Sequence, residues 1–152
     1  MAAKVLVTMQ HDKERNQICA CLERVGHAVV KLDTFHNAME ILRSTDFDLI
    51  VSDVHLQNGG SVFDFLRWVK GDPHMHATPF VCFSAEPHEL GKYIADGVRT
   101  AARSLGAARY ISMEQFDERL FLHEIEWLIP EEKVGSYYSG TSSSAEKVSA
   151  EH

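Results

Sequence analysis

The chain has 152 residues, of which 45% are hydrophobic and 24% are charged, and its formal net charge at pH 7 is -7. This balance is typical of a soluble globular domain, and no apolar run reaches the roughly 18 residues that a membrane-spanning helix needs. The acidic excess argues against nucleic acid as a partner, because nucleic-acid binders carry a basic stripe. The N-terminus enters a strand pattern without a secretory signal, so we predict a cytoplasmic protein with no membrane contact. Cys19, Cys21 and Cys82 lack the spacing of a zinc site, which favours buried free thiols.

Short apolar runs alternate with helical patterns along residues 1–130. The predicted strands cover residues 4–9, 28–32, 49–51, 80–83 and 109–111. A helix is expected after each strand; Asp12 should cap the first helix and Gly26 should end it. The fourth helix is predicted at about residues 88–105 and the last at residues 116–129, where Pro130 ends the domain. This alternation predicts an α/β fold, a doubly wound parallel sheet of five strands with five helices on its two faces.

The composition changes after Pro130. Residues 131–152 are rich in serine and other polar residues, and they cannot bury a core of their own. We therefore predict one domain over residues 1–130 and a disordered C-terminal tail over residues 131–152.

Polar side chains stand where the predicted strands end. Asp53 follows the third strand, Ser84 follows the fourth, and Met9 closes the first. The carboxyl ends of parallel strands meet at one edge of a sheet, and ligands and chemistry are found at that edge. We therefore expect Asp53, Ser84 and the residues after Met9 to lie close together.

Four segments of the chain together carry a resemblance to a known family. They are Val5-Leu6-Val7, Asp48-Leu49-Ile50-Val51-Ser52-Asp53, Phe83-Ser84-Ala85 and Gly106-Ala107-Ala108-Arg109-Tyr110-Ile111. Their order and spacing resemble those of the receiver domain of two-component response regulators, over roughly residues 3–130. The resemblance implies a flavodoxin-like sheet with strand order 2-1-3-4-5. It also implies a stand-alone signalling module of a phosphorelay, and not an enzyme.

The resemblance assigns roles to three residues. Asp53 stands at the phosphoacceptor position, to which a histidine kinase transfers a phosphoryl group in this family. Ser84 stands where a hydroxyl contacts that group, and Tyr110 matches the aromatic residue whose rotamer is coupled to the hydroxyl. An aspartate at a strand end can also simply cap the next loop, but Ser84 and Tyr110 at matching places favour phosphoacceptor geometry.

Three other positions depart from the family pattern. The acidic pair that holds Mg²⁺ falls at Met9 and Gln10, and the lysine that neutralises the phosphoryl group falls at Met113. Because Mg²⁺ prefers carboxylate oxygens, we expect no bound cofactor, or Mg²⁺ held only weakly, and poor phosphorylation of Asp53. The remaining candidates for metal ligands are Asp12, Asp53 and the backbone carbonyl of His55.

The last predicted helix is apolar around more of its circumference than the stripe of about 100° that packs on a sheet. We therefore expect part of it to face outward as an interface, drawn from Phe121, Ile125, Trp127 and Leu128. In the family, the fourth helix, fifth strand and fifth helix form the output or dimer face. The resemblance thus implies protein partners, such as a histidine kinase or a downstream effector, or a homodimer.

Three functions remain open from the sequence. The first is an atypical receiver-like module that acts by protein–protein interaction, with weak or no phosphorylation at Asp53. The second is a fully functional receiver that a histidine kinase phosphorylates on Asp53, with Asp12 or a partner's residue holding the metal. The third is a flavodoxin-like cofactor-binding protein or enzyme; Gln10-His11-Asp12-Lys13 argues against it, because a phosphate loop there needs glycine, serine and threonine.

Overall fold

The computed structural model describes residues 2–54, 62–85 and 89–130, and for residues 89–96 it describes the backbone alone. The strands are β1 (Lys4–Thr8), β2 (Ala28–Leu32), β3 (Leu49–Asp53), β4 (Phe80–Ser84) and β5 (Arg109–Ser112). The helices are α1 (Asp12–Arg24), α2 (Phe35–Leu42), α3 (Val62–Gly71), α4 (Glu89–Ser104) and α5 (Glu118–Ile125), and a 3-10 turn follows at Glu126–Leu128. The predicted tail and His55 lie outside the described residues.

The five strands form one parallel sheet in the order β2-β1-β3-β4-β5, which confirms the predicted doubly wound α/β architecture. Strand β3 is buried along its whole length, as expected of an inner strand that helices cover on both faces. The edge strand β2 is more exposed and carries Lys31. In the described part of the chain, no helix has the length and apolarity needed to cross a bilayer.

Alternate residues of the strands lie in two separate core layers, one on each face of the sheet. One layer joins Val7, Val51 and Phe83 to residues of α1 and α5. The other joins Leu6, Ile50 and Cys82 to residues of α2, α3 and α4, and it includes the stacked rings of Phe35 and Phe65. This alternation decides which helices cover each side chain at the carboxyl edge.

The start of α1 differs from the prediction. His11 is the N-cap residue, with no side-chain cap hydrogen bond, and Asp12 is the first helical residue. The Asp12 side chain is 80% exposed and forms an ion pair with Arg15 at 2.6 Å. Asp12 therefore supports the helix as an acidic residue of its first turn and not as its cap. The predicted end is correct, because Gly26 adopts a positive φ of 99° that ends the helix.

The last helix is shorter than predicted, and two of the four residues predicted for an interface are buried. Asp117 caps α5 by accepting a hydrogen bond from the Leu120 N–H, so the helix begins at Glu118. Phe121 and Ile125 lie one turn apart on the side that faces the sheet and are fully buried, so neither can form an outward surface. Leu128 is half-buried against the same core layer. Among the side chains that the structure describes, the exposed large apolar ones are Trp127, 66% exposed, and Leu120, 47% exposed.

All three cysteines are buried free thiols, as predicted. Cys19 and Cys21 lie on α1 and Cys82 lies in β4. Burial raises the pKa of Cys19 to about 11, and it raises the pKa of both Cys21 and Cys82 to about 12. These thiols are therefore uncharged at neutral pH and serve as small apolar side chains.

Candidate functional site

Asp53 is the last residue of β3 and is only 3% exposed. In the sheet register it lies opposite Phe83 of β4, and its predecessor Ser52 lies opposite Thr8 of β1. Met9, which follows Thr8, is fully buried. The carboxyl group therefore stands at the carboxyl edge of the sheet beside apolar neighbours, and this burial raises the pKa of Asp53.

Three donors from the loop between β1 and α1 converge on one oxygen of this carboxyl group. The Gln10 N–H donates to Asp53 Oδ2 at 2.7 Å, and the His11 N–H donates to the same atom at 3.4 Å. The imidazole Nδ1 of His11 lies 3.1 Å from it. These contacts partly offset the burial that raises the pKa of Asp53. The structure thus brings Asp53 together with the residues after Met9, as the topology predicts.

His11 was not among the predicted site residues. The resemblance implies metal-holding carboxylates after the first strand, and a histidine is not part of that pattern. A different signal was available: a histidine two residues past Met9 lies where the chain turns into a helix above the carboxyl edge. An imidazole there can reach an aspartate at the end of the neighbouring strand.

The positions of the family's charged groups carry uncharged side chains in this structure. Met9 and Met113 are buried in the core layer that α1 and α5 cover. The sulfur of Met113 lies 3.5 Å from the Asp117 N–H, and Arg15 donates to the Met9 carbonyl oxygen at 2.9 Å. Among the described residues, no three histidine, cysteine or acidic side chains are grouped so that they could hold a metal ion.

Asp12 does not reach the carboxyl edge in this structure, because its exposed side chain is engaged by Arg15. Of the three predicted metal candidates, Asp53 alone stands at that edge among the described residues, since His55 lies outside them. Gln10 is half-buried and reaches Asp53 through its backbone N–H. One buried carboxylate and one neutral amide are a poor donor set for Mg²⁺.

Ser84 and Tyr110 lie together on the face of the sheet that α4 covers. Tyr110 pairs with Cys82 and Ser112 pairs with Ser84, so the two side chains project from the same face. Burial raises the pKa of Tyr110, whereas the nearby Ser84 and Arg99 side chains act in the opposite direction. The tyrosine is 8% exposed and therefore turned into the core.

Asp53→Asn should stabilise the protein at neutral pH. Burial raises the folded-state pKa of Asp53 above its ordinary value of 3.8. Between that value and the folded-state pKa the native state binds more protons than the unfolded state, so the unfolding free energy falls as pH rises. Each tenfold change in the acid dissociation constant corresponds to about 1.4 kcal/mol. Urea denaturation from acidic to neutral pH should show this decline in the native protein and lose it in Asp53→Asn.

Asp64→Asn is the control for this experiment, because the Asp64 side chain is 79% exposed on α3. It should leave the pH dependence of the unfolding free energy unchanged. If Asp53→Asn instead lowers stability at neutral pH, then His11 and the two backbone N–H groups outweigh the cost of burying the charge.

The chain was compared with protein families, curated proteins and solved structures. No family model matches it, and no curated protein matches it. Solved structures do match, in 337 chains. One is the chemotaxis response regulator CheY4 of Vibrio cholerae, at 20% identity and a TM-score of 0.71, covering 85% of this chain and 100% of that one.

Two further matches have similar coverage. The receiver domain of NtrX from Brucella abortus matches at 18% identity and a TM-score of 0.71, covering 82% of this chain and 96% of that one. The receiver domain of a sensor histidine kinase from Pseudomonas aeruginosa, with a magnesium ion coordinated in its active-site cleft, matches at 16% identity and a TM-score of 0.67, covering 84% of this chain and 98% of that one. With its five parallel strands in this order, the chain has the fold of the response-regulator receiver domains.

Proposed function

We propose that this chain is a receiver-like signalling module that acts through protein–protein interaction, with Asp53 in the phosphoacceptor position but with weak or no Mg²⁺-dependent phosphorylation. The proposal rests on the side chains that meet at the carboxyl edge of the sheet. A buried Asp53 is held by donors of its own chain, while Met9, Gln10 and Met113 stand where the receiver pattern has charged side chains.

Phosphoryl transfer to a carboxylate depends on positive charge beside the reacting groups. Both the nucleophile and the phosphoryl oxygens are negative, so catalysis consists mainly of positioning and charge neutralisation. The Pseudomonas aeruginosa receiver domain has a magnesium ion in its cleft. In this chain the thioethers of Met9 and Met113 offer neither a hard oxygen ligand nor a cation at the corresponding edge.

The contacts of Asp53 also oppose its use as a nucleophile. Its Oδ2 accepts from two backbone N–H groups and lies in contact with the imidazole of His11. Attack through that oxygen would require these contacts to weaken, and the described residues offer no Mg²⁺ ligand set that could compensate. The donors therefore favour Asp53 as an anchor that ties the loop between β1 and α1 to the end of β3.

The proposed mode of action is recognition of a protein partner, such as a histidine kinase or a downstream effector, in the cytoplasm. Exposed apolar side chains on the last helical segment support it, because Leu120 and Trp127 are seven residues apart on the outer side of that segment. Glu124, between them in sequence, lies 3.7 Å from Arg109 of β5. The ion pair links α5 to the edge strand β5, and the exposed apolar side chains of this last helical segment are suited to a protein interface.

The state of Asp53 can be tested by intact-mass measurement after incubation with a small phosphodonor and Mg²⁺. The native protein should show no stoichiometric gain of a phosphoryl group and should give the same trace as Asp53→Asn. A receiver domain that retains the acidic pair and the lysine, treated in parallel, establishes that the reagents work. A substantial phosphoryl adduct that Asp53→Asn abolishes would overturn the proposal.

The same measurement decides the second candidate, a working receiver phosphorylated on Asp53. Its support is the pair of Ser84 and Tyr110, whose side chains project from one face of the sheet on β4 and β5. Its difficulty is that Asp12, the acidic residue it would need, is directed into solvent. A partner that supplied the missing carboxylates would make phosphorylation depend on the presence of that partner, which the isolated chain and the mixture would reveal.

A further inference from the structure

An open and mostly apolar groove lies at the amino edge of the sheet, at the opposite end of the strands from Asp53. Phe47 and Pro79, which stand just before the neighbouring strands β3 and β4, line this amino-edge groove. Trp127 and Pro130 line it from the segment that follows α5. Its volume is about 470 Å³. The groove shares no residue with the site around Asp53.

Trp127 is the most exposed apolar group of the amino-edge groove. Its side chain is 66% exposed, more than any other large apolar side chain that the structure describes. Phe47 and Ile129, which line the same groove, are buried. The groove therefore combines a packed apolar base with one large ring in contact with water, and covering that ring would remove apolar area from water.

The chain itself continues from the margin of this groove. Ile129 leaves the 3-10 turn with an extended backbone, at φ -100° and ψ 142°. Pro130 lines the groove and is the last residue that the structure describes. Residues 131–152 follow it in the sequence. Because each residue extends a chain by at most about 3.6 Å, residues 131–137 can span up to about 25 Å, which is enough to reach back over the groove.

We propose that the segment of residues 131–138 occupies the amino-edge groove of its own chain and places Tyr137 or Tyr138 against Trp127. This inference goes beyond the proposed function, because the docking requires no partner and no particular state of Asp53. It would also place the beginning of the predicted disordered tail after Tyr138.

The chemistry of the segment fits the groove. Beyond Pro130 the sequence carries large apolar rings at Tyr137 and Tyr138 alone. A tyrosine ring can cover Trp127 and Pro79 with its apolar face while its hydroxyl stays in water, so that no polar group is buried without a hydrogen bond. Gly135 precedes the two tyrosines and allows the chain to turn back.

The covalent connection favours this segment over the same rings of a second copy. A segment tethered by a few residues has an effective concentration in the millimolar range. At a protein concentration of about 1 μM, the tethered rings are therefore favoured about 1,000-fold over those of another molecule. A contact with a dissociation constant of about 1 mM would already be about half-occupied, so the docking requires only a weak intrinsic affinity.

Such docking would regulate access to Trp127. This residue belongs to the amino-edge groove and also to the exposed apolar side chains proposed to contact a partner. A partner that needs Trp127 has to displace the tyrosines, whereas Leu120 stays accessible because it does not line the groove. This consequence for partners rests on the proposed function, but the docking itself can be measured alone.

The test measures how strongly Trp127 is shielded from a neutral quencher in the chain of residues 1–152. The sequence has two tryptophans, so Trp68→Phe leaves Trp127 as the only one, and acrylamide quenching of its fluorescence reports its exposure. Tyr137→Ser combined with Tyr138→Ser removes both rings. The quenching constant should rise about twofold, because a groove that is about half-occupied becomes empty.

Val148→Ser is the control, because it removes an apolar side chain much further from Pro130 along the same segment, and it should leave the quenching constant unchanged. Fluorine NMR of the chain labelled with 5-fluorotryptophan gives a second readout without Trp68→Phe, and Trp127→Phe assigns the signal.

An unchanged quenching constant in the double tyrosine variant, or an equal rise in Val148→Ser, would overturn the inference. Shielding that is lost on dilution would overturn it too, because the occupant would then be a second copy. A phosphoryl adduct on Asp53 in the mass experiment contradicts the proposed function and leaves the docking unaffected, so the two can fail separately.

Discussion

Gln10→Asp combined with Met113→Lys is expected to raise the rate of Asp53 phosphorylation by a small phosphodonor and Mg²⁺ at least about a hundredfold. The aspartate adds a second carboxylate beside Asp53, where the Gln10 backbone already makes contact. The lysine places an ammonium group next to Ser84, whose carbonyl oxygen accepts from the residue 113 N–H at 2.9 Å. One preorganised electrostatic group typically contributes a factor of about 10² to 10³ in rate.

Both substitutions are compatible with the fold. Gln10 is half-buried at the edge of the loop, so an added charge there keeps access to water and to Mg²⁺. Met113 is buried, but a lysine can lie along the same apolar path and extend its ammonium group toward the edge. Met9 is left unchanged because it is fully buried in the core beneath the site.

Intact mass against time, with and without Mg²⁺, measures the effect, and each single substitution separates the contribution of the cation site from that of the ammonium group. The double variant in an Asp53→Asn background must remain unmodified, which places the reaction on Asp53. If the native chain reacts as fast as the double variant, then the missing charges do not limit its chemistry.

Phe121→Ala should lower the unfolding free energy by about 3–5 kcal/mol. Phe121 is fully buried, and its ring packs edge-on against Phe83 with centroids 6.1 Å apart and lies 5.5 Å from the ring of Phe116. Truncation removes apolar contacts and leaves a cavity between α5 and the sheet, which these neighbours can fill only in part. Urea denaturation monitored by circular dichroism measures the change.

Leu120→Ala is the matched control, one residue away on the same helix. Leu120 is largely exposed, and its cap interaction with Asp117 uses the backbone N–H, which alanine retains. The change in unfolding free energy should stay within about 0.5 kcal/mol. A large loss in Leu120→Ala and a small one in Phe121→Ala would mean that the inner and outer sides of α5 have been exchanged.

The fold could be predicted because each strand is a short apolar run and each helix has its own periodic pattern. Parallel strands covered on both faces leave little room for polar residues, so β3 is apolar until it reaches Ser52 and Asp53. Once the strand order was implied, the position of Asp53 at the carboxyl edge followed from topology. The resemblance then supplied the roles of Ser84 and Tyr110.

Helix boundaries and the inner shell of the site were harder to predict, for physical reasons. The choice between Phe116 and Glu118 as the first residue of α5 depends on whether Asp117 turns to accept the Leu120 N–H, which apolar periodicity does not reveal. The contact between His11 and Asp53 joins residues 42 apart in sequence and requires the loop after β1 to fold over β3. Arg99 over Tyr110 likewise depends on how α4 lies on β5.

The three buried cysteines allow the opening rates of the folded chain to be measured by alkylation. An alkylating reagent attacks thiolate, and Cys19, Cys21 and Cys82 supply almost none while they remain enclosed. The speed of labelling at Cys19 and Cys21 therefore counts openings that expose α1, and the speed at Cys82 counts openings that reach the centre of the sheet. Comparing the two labelling rates distinguishes local opening of α1 from global unfolding, and no cysteine has to be introduced for the measurement.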